Sequence, residues 1–261
     1  MLKYHSNRIQ ATLPSSTTLA APAIDCYLPN ADQRNGIGLI IFPGGGYGAL
    51  AEHEGKGYAD YFVEAGICCF VVQYRLGTAN FRHPAMLEDA LAAIYTVRQQ
   101  AGEWGVDPAK IGVMGSSAGG HLTAHTLVAY GHYASDIALR PDFGILCYPV
   151  IAMTGPYCHT GSRTNLLGEG AAETLMMDVS PERLVTDQTP PCFLWHTVED
   201  ASVPVENSLR FASALRMNDV PFELHIYPKG RHGLGLNTNL GWASACLRWI
   251  DEVTADNRIL D

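Results

Sequence analysis

The stretch Gly115-Ser116-Ser117-Ala118-Gly119 decides how the rest of the chain is interpreted. The apolar run Lys110 to Met114 leads into it, and a helical pattern from Gly120 to Val128 follows it. A Gly-x-Ser-x-Gly between a strand and a helix is typical of a nucleophile elbow, in which the serine takes a strained turn and small neighbours let the helix pack closely behind it. The five residues alone are weak evidence, because Gly and Ser also mark ordinary turns. With both flanking elements present, the pattern predicts Ser117 as a nucleophile.

Composition and charge exclude several classes of protein. The chain has 261 residues, of which 47% are hydrophobic and 16% charged, so it can bury a sizeable core and is not expected to be disordered. The formal net charge of −9 argues against nucleic acid or an anionic membrane as a partner, since both require basic patches. No apolar run is long enough to span a membrane, and residues 1–8 lack the apolar core of a signal peptide.

The cysteines indicate a reducing compartment. The chain contains seven of them, an odd number, and most lie inside apolar runs. Cysteines in apolar runs are expected to be buried as small hydrophobic residues, which is typical of proteins in the reducing cytosol. The absence of a Cys-x-x-Cys argues against a thiolate zinc site or a redox pair. We therefore expect a cytoplasmic protein, without a prediction of its oligomeric state.

Apolar runs alternate with helical patterns along most of the chain. The runs predict strands at residues 24–28, 37–42, 66–74, 111–114, 143–150, 192–196 and 221–227. The helical patterns lie at residues 55–65, 84–102, 118–131, 206–217 and 240–253. Strands separated by helices indicate a mostly parallel sheet with helices on both faces. The sequence therefore predicts one α/β domain over residues 1–261.

The periodicity fails between about residues 154 and 183, where several glycines and a proline interrupt the pattern. We interpret this segment as an insertion of loops and short helices over the site, a role that long loops often have in enzymes. The alternative is an ordinary excursion of the surface, and the sequence does not decide between the two.

Two loops after predicted strands supply the partners that a serine nucleophile requires. A serine hydroxyl needs a base within hydrogen-bond reach and an acid that orients this base. Where such an elbow is used, the order along the chain is serine, then Asp or Glu, then His. Asp200 follows the strand at 192–196, and His232 lies in a glycine-flanked loop after the strand at 221–227. We therefore predict Asp200 as the acid and His232 as the base, with Glu199 as the alternative acid.

The triplet Gly44-Gly45-Gly46 follows the predicted strand at 37–42. Without side chains, its N–H groups can turn inward and approach a substrate. A flexible turn or a phosphate cradle could have the same triplet, but no Gly-Lys-Ser/Thr follows it. We therefore predict that the N–H groups of Gly45, Gly46 and Ala118 form an oxyanion hole.

Other side chains near these motifs have both functional and structural explanations. Tyr47 could stack on a ring of the substrate or simply pack, while His53 and Glu54 could line the mouth of a pocket or form a solvated turn. His121 and His125 are one helical turn apart, but the metalloprotease motif requires Glu directly after the first His, and leucine stands there. For these two histidines we predict packing or supporting hydrogen bonds, and we expect neither a metal ion nor a cofactor.

Five motifs together resemble a known family. They are Pro43 to Tyr47, Glu52 to Gly55, Gly115 to Leu122, Thr197 to Pro204 and Gly230 to Gly233. Jointly they resemble the α/β-hydrolase esterases of the carbohydrate acetyl-esterase type, which are related to xylan acetyl-esterases, feruloyl-esterase-like proteins and hormone-sensitive-lipase-like esterases. The resemblance runs from about Asp25 to the final helix. Pro43 stands where the lipase-like branch has His, and this proline is usual among the carbohydrate-esterase-like members.

The resemblance implies an α/β-hydrolase fold with Ser117, Asp200 and His232 as the catalytic triad and with Gly45, Gly46 and Ala118 as oxyanion donors. It further implies removal of short acyl groups, chiefly acetyl, from sugar hydroxyls such as those of acetylated xylo-oligosaccharides. The expected partner is thus a small-molecule or oligosaccharide ester. Three alternatives stay open: a general short-chain lipase-like esterase, a dipeptidyl-peptidase-like serine peptidase, and a hydrolase-fold binding protein without activity.

Overall fold

The computed structural model describes residues 4–13 and 21–255, and eight of its strands form one sheet. The strands are β1 (Tyr4–Gln10), β2 (Ala23–Pro29), β3 (Gly38–Phe42), β4 (Cys68–Gln73), β5 (Ile111–Ser116), β6 (Phe143–Cys147), β7 (Cys192–Thr197) and β8 (Phe222–Tyr227). Their order across the sheet is β1-β2-β4-β3-β5-β6-β7-β8. The β1–β2 and β2–β4 pairs are antiparallel and all other pairs are parallel, so the carboxyl ends of β3 to β8 lie at one edge.

Helices cover both faces of the sheet. They are α1 (Lys56–Glu64), α2 (Ala85–Gln99), α3 (Ser117–Ala129), α4 (Thr160–Leu167), α5 (Glu173–Asp178), α6 (Glu206–Met217) and α7 (Trp242–Thr254). Helices α2, α3 and α6 contribute apolar side chains to the core on one face, and α1 and α7 contribute to the core on the other. Strands β3, β5, β6 and β7 are buried along their whole length, which explains why their sequences are continuous apolar runs.

The predicted fold class is confirmed, and most predicted elements lie within a few residues of the observed ones. One difference is β1 (Tyr4–Gln10), an edge strand of mostly exposed residues that is not among the predicted strands. Another concerns the run at 143–150, in which β6 ends at Cys147. Tyr148 takes a left-handed backbone with φ 36°, which is incompatible with an extended strand, so the apolar run continues past the end of the strand. The domain prediction also covers residues 1–3, 14–20 and 256–261, which lie outside the described residues.

The segment at 154–183 contains α4 and α5, joined by loops. Helix α4 contacts the loop after β3, because the side-chain amide of Asn165 donates to the carbonyl oxygen of Gly46 at 2.9 Å. The aperiodic stretch of sequence is thus folded against the glycine triplet at the carboxyl edge of the sheet.

No helix within residues 4–13 and 21–255 is long and apolar enough to cross a membrane. All seven cysteines are free thiols, and six of them are buried.

Candidate active site

Ser117 stands at the junction of β5 and α3, near the middle of the sheet. Its backbone has φ 53°, a left-handed conformation that costs energy for a residue with a side chain, and only 6% of its surface is exposed. Such strain at a strand-to-helix turn holds a hydroxyl out from the carboxyl edge of the sheet. The local geometry is that of a nucleophile elbow.

The small residues around Ser117 are required by close backbone contacts. A methyl group at Gly119 would collide with the carbonyl oxygen of Phe42 at the end of β3. A methyl group at Gly115 would collide with the carbonyl oxygen of Gly119. Only glycine therefore lets α3 start this close to β3 and β5, and the Gly-x-Ser-x-Gly spacing follows from this packing.

The structure brings together the three residues that the sequence predicts as a triad. His232 Nε2 lies 2.8 Å from Ser117 Oγ, and His232 Nδ1 lies 2.6 Å from Asp200 Oδ2. Asp200 follows β7, and His232 follows β8, so the side chains converge from three strand ends. In this arrangement the imidazole can take a proton from the hydroxyl while the carboxylate fixes its tautomer.

Asp200 is held as a carboxylate by its neighbours. Its Oδ1 accepts hydrogen bonds from the backbone N–H groups of Ser202 and Val203, both at 2.9 Å. Burial raises the pKa of Asp200, but hydrogen bonds with His196, His232 and the N–H of Val203 outweigh this effect and hold the pKa well below its ordinary value. The side chain is therefore charged at neutral pH and can stabilise an imidazolium at His232.

The structure separates the two candidate acids. Glu199 is exposed, and within residues 4–13 and 21–255 the one hydrogen bond found for its carboxylate is a long contact of 3.4 Å from the N–H of Gly230. Asp200 is buried and faces His232. The geometry favours Asp200 over Glu199 as the candidate acid.

His196 supports Asp200, a role that its position at the end of an apolar run in the sequence does not indicate. Its ring is fully buried, with Nδ1 2.8 Å from Ser208 Oγ and Nε2 2.9 Å from the carbonyl oxygen of Val203. The same Nε2 lies 3.3 Å from Asp200 Oδ2. A histidine four residues before the acid, within an otherwise apolar strand, is the signal that could have indicated this support.

The glycine triplet begins beside Ser117, because a methyl group at Gly44 would lie 3.1 Å from Ser117 Cβ. Gly45 and Gly46 have φ 124° and 64°, and no bond from their N–H groups is found within the described part of the chain. Ala118 is the second residue of α3, and the first N–H groups of a helix have no partner within it. These three N–H groups are available as oxyanion donors. Gly44 is different, because its N–H donates to Glu54 Oε2 at 2.9 Å.

Tyr47 lies in the core and has no exposed surface. Its hydroxyl is hydrogen-bonded to His121 Nδ1 at 2.7 Å, and its ring packs edge-on against Tyr74. Because the ring is enclosed, Tyr47 cannot stack on a substrate. Its ring packs in the core, which is the second of the two explanations given above. The left-handed φ of 59° at this residue turns its side chain inward, which the motif alone does not indicate.

Glu54 is also buried, and it supports the loop rather than contacting a substrate. Its two carboxylate oxygens accept from the Gly44 N–H and, at 2.7 Å, from the Tyr148 hydroxyl. The Tyr148 ring packs edge-on against His232, and its hydroxyl accepts the Gly235 N–H at 2.9 Å. The predicted substrate contact of Glu54 is therefore corrected to a buried link between the glycine loop and the histidine loop.

His53 is exposed beside that link. Its Nε2 lies 3.1 Å from the carbonyl oxygen of Gly233, next to His232, and its side chain is 57% exposed. It is the one of the three predicted contact residues that has free surface at the edge of the site.

His121 and His125 are buried in α3. His121 uses both ring nitrogens, on Tyr47 and on the carbonyl oxygen of Val179 at 2.8 Å. Burial lowers the pKa of His121 to about 4, so its ring is neutral. Packing and supporting hydrogen bonds, as predicted, describe this residue. Among the described residues, no group of His, Cys, Asp or Glu is arranged to hold a metal ion.

The sheet order, the strained serine elbow and the strand-end aspartate and histidine define an α/β hydrolase. Residues 61–257 match the sequence profile of the Prolyl oligopeptidase family, so the chain belongs to this family. The chain is also 39% identical to the acetyl ester-xyloside bifunctional hydrolase from Caldicellulosiruptor lactoaceticus, with a TM-score of 0.83 over 93% of this chain and 91% of the other.

Two curated relatives are similar over 82% of this chain. One is the endo-1,4-beta-xylanase B of Butyrivibrio fibrisolvens, 40% identical, and the other is the acetylxylan esterase of Xylanibacter ruminicola, 36% identical. The matched region makes up 34% of the first protein and 44% of the second, so the chain spans less than half of either.

Proposed function

We propose that the protein is a serine esterase that removes acetyl groups from sugar hydroxyls, such as those of acetylated xylo-oligosaccharides, through an acyl-enzyme. The observation that carries the proposal is the continuous chain from Ser117 Oγ through His232, at 2.8 Å, to Asp200, at 2.6 Å. The acetyl and xylose parts of the proposal are supported by the acetylxylan esterase and the acetyl ester-xyloside hydrolase that this chain resembles.

The first half-reaction transfers the acetyl group to Ser117. Its Oγ attacks the carbonyl carbon, and the hydroxyl proton moves to His232 Nε2. The negative charge that develops on the carbonyl oxygen is stabilised by the N–H groups of Gly45, Gly46 and Ala118, and each such donor is worth about 3 kcal/mol of transition-state stabilisation. The imidazolium then protonates the sugar oxygen as the C–O bond to the acyl carbon breaks.

The second half-reaction releases acetate. A water molecule takes the place of the departed alcohol and gives a proton to His232 Nε2 while its oxygen attacks the acetyl-serine. The tetrahedral intermediate uses the same N–H donors, and the imidazolium returns the proton to Ser117 Oγ as the acyl bond breaks. Asp200 stays ionised throughout and holds Nδ1 in its protonated form.

Acetate release from acetylated xylan, measured beside the p-nitrophenyl esters of acetate, butyrate and octanoate, tests the proposal. We expect acetate release from xylan together with a preference for the acetate ester. A preference for longer chains would assign the protein to the general short-chain esterases. The absence of any ester turnover would favour a binding protein with an inactive site.

A peptidase is the second candidate, because the same family profile and four acylamino-acid-releasing enzymes, 22 to 26% identical, are similar to this chain. Those relatives are much more distant than the two xylan-related proteins. Turnover of N-acetyl-alanine p-nitroanilide at a rate comparable with that of p-nitrophenyl acetate would favour the peptidase.

The proposed location of the enzyme is the cytoplasm, and its proposed substrates are small or oligosaccharide esters that need no cofactor for their hydrolysis. The seven free thiols support a reducing compartment. Labelling of intact and lysed cells with an impermeant probe for the serine nucleophile would test the location.

A further inference from the structure

The loop before α4 is fixed in place above the site. The fully buried side chain of Asn207 donates to the carbonyl oxygens of Tyr157 and Pro204, both at 3.0 Å. Tyr157 comes just before α4, and Pro204 belongs to the loop that carries Asp200. The guanidinium carbon of Arg210 lies 5.0 Å from the centroid of the Tyr157 ring, so a second side chain from α6 contacts this residue. The start of α4 is therefore tied to the acid loop of the triad.

The body of α4 is fixed to the opposite wall of the site. The amide of Asn165 is bonded to the Gly46 carbonyl oxygen, and Ser162 Oγ lies 3.9 Å from the point where a methyl group at Gly46 would be. The first turn of α4 thus lies between the oxyanion loop and the acid loop, which is where Ser117 and His232 meet.

His159 caps α4 at this position. Its Nδ1 accepts the backbone N–H of Ser162 at 3.2 Å and lies 2.8 Å from Ser162 Oγ. A neutral ring that accepts at Nδ1 carries its proton at Nε2. No acceptor for the Nε2–H of His159 is found among the residues that the structure describes. The ring is half-buried and presents a fixed donor.

The surroundings of His159 favour the neutral form of its ring. Burial lowers its pKa below the ordinary value, the nearby His232 ring adds to this effect, and Asp200 acts in the opposite direction. The position of His159 follows from the docking of α4, which is bonded to Gly46 through Asn165 and linked to the Asp200 loop through Asn207.

An acetyl ester has one strong acceptor in its acyl half, the carbonyl oxygen, and the oxyanion hole takes it. A donor elsewhere in the site can therefore recognise only the alcohol half. Building on the proposed function, we propose that His159 is a specificity-determining residue, whose Nε2–H donates to a hydroxyl of the alcohol next to the ester, so that the site selects esters of sugars and other polyols.

The test compares two acetates that differ only in free hydroxyls. One is methyl xyloside acetylated at O4, and the other is 6-methoxytetrahydropyran-3-yl acetate, which has the same ring and methoxy group without free hydroxyls. Two variants separate the roles of the ring nitrogens. His159→Asn keeps an acceptor that can cap α4 but lacks a group at the position of Nε2, whereas His159→Gln places its amide there. His132→Ala, an exposed histidine in the turn after α3, is the control.

We expect the wild type to prefer the xyloside ester in kcat/KM, and His159→Asn to lose roughly tenfold on that ester alone, as for one removed hydrogen bond. His159→Gln should regain part of the preference, and the control should behave as the wild type. Equal losses on both esters in His159→Asn, or an unchanged preference, would overturn the role of His159. Absence of acetate release from every ester by the wild type would instead overturn the proposed function, and the role of His159 with it.

Discussion

The Tyr148 hydroxyl donates to Glu54 Oε1 at 2.7 Å, beneath the glycine loop. Through this bond one buried carboxylate connects the backbone of Gly44 with the backbone of Gly235. The glycine loop and the histidine loop belong to opposite halves of the chain, and this pair links them. We predict that the buried pair aligns the N–H groups of the glycine loop with His232.

Replacement Glu54→Gln tests this alignment. The carboxylate accepts from two donors, and an amide would turn its NH₂ group toward one of them, so we expect the free energy of unfolding to fall by about 1–3 kcal/mol. We also expect kcat for p-nitrophenyl acetate to fall while KM changes little, because the contact aligns the reacting groups. Glu173→Gln, at an exposed position of α5, is the matched control. Loss of stability with unchanged kcat would show that Glu54 has a structural role only.

Replacement Ser117→Ala tests the nucleophile. Because the triad acts as a unit, we expect turnover of p-nitrophenyl acetate to fall by about 10³-fold or more. The far-ultraviolet circular dichroism and the melting temperature should stay close to those of the wild type, which separates a catalytic loss from unfolding. Substantial remaining turnover in the purified variant would mean that another residue attacks the ester.

Replacement Gly119→Ala tests the packing of the elbow. The added methyl group would collide with the carbonyl oxygen of Phe42, so the start of α3 must shift, and we expect a loss of about 1–3 kcal/mol in the free energy of unfolding. Gly131→Ala is the control, because a methyl group at Gly131 would meet no atom within 4 Å. Equal stabilities of the two variants in urea denaturation would contradict the close contact between α3 and β3.

The buried His121 predicts a dependence of stability on pH. Its pKa is lowered to about 4 by burial, so between this value and the ordinary pKa only the unfolded chain binds the proton. Lowering the pH through this window therefore destabilises the fold, by about 2 kcal/mol from this residue between about pH 7 and about pH 5. His121→Gln should lose stability at neutral pH but show a smaller further loss on acidification. An equal slope in urea titrations of both proteins would exclude this role.

The fold class and the convergence of Ser117, Asp200 and His232 can be predicted from the sequence because both follow from local chemistry. Continuous apolar runs identify buried parallel strands, and the glycines around Ser117 identify a close turn. Asp200 and His232 are recognisable because each follows a strand in the expected order. Apolar runs, glycine spacing and the order of the motifs can all be recognised in a single sequence.

Other contacts depend on tertiary packing and leave weak traces in the sequence. Tyr47 and Glu54 lie close to the glycine triplet in the sequence, which is where a substrate-binding residue is expected, but both side chains are buried. His196 contacts Asp200, but it lies in a strand whose sequence is otherwise largely apolar. His159 lies in an aperiodic segment, and only the docking of α4 on Gly46 shows that it borders the site.

The chain order of the strands β5, β6, β7 and β8 across the sheet also has a consequence for biosynthesis. This half of the sheet can grow one strand at a time as the polypeptide leaves the ribosome, since each new strand pairs with the one before it. Ser117 and its predicted base, His232, are 115 residues apart, and His232 follows β8. We therefore expect the nascent enzyme to stay inactive until β8 and its loop have been added, so that recovery of activity would report this step of folding.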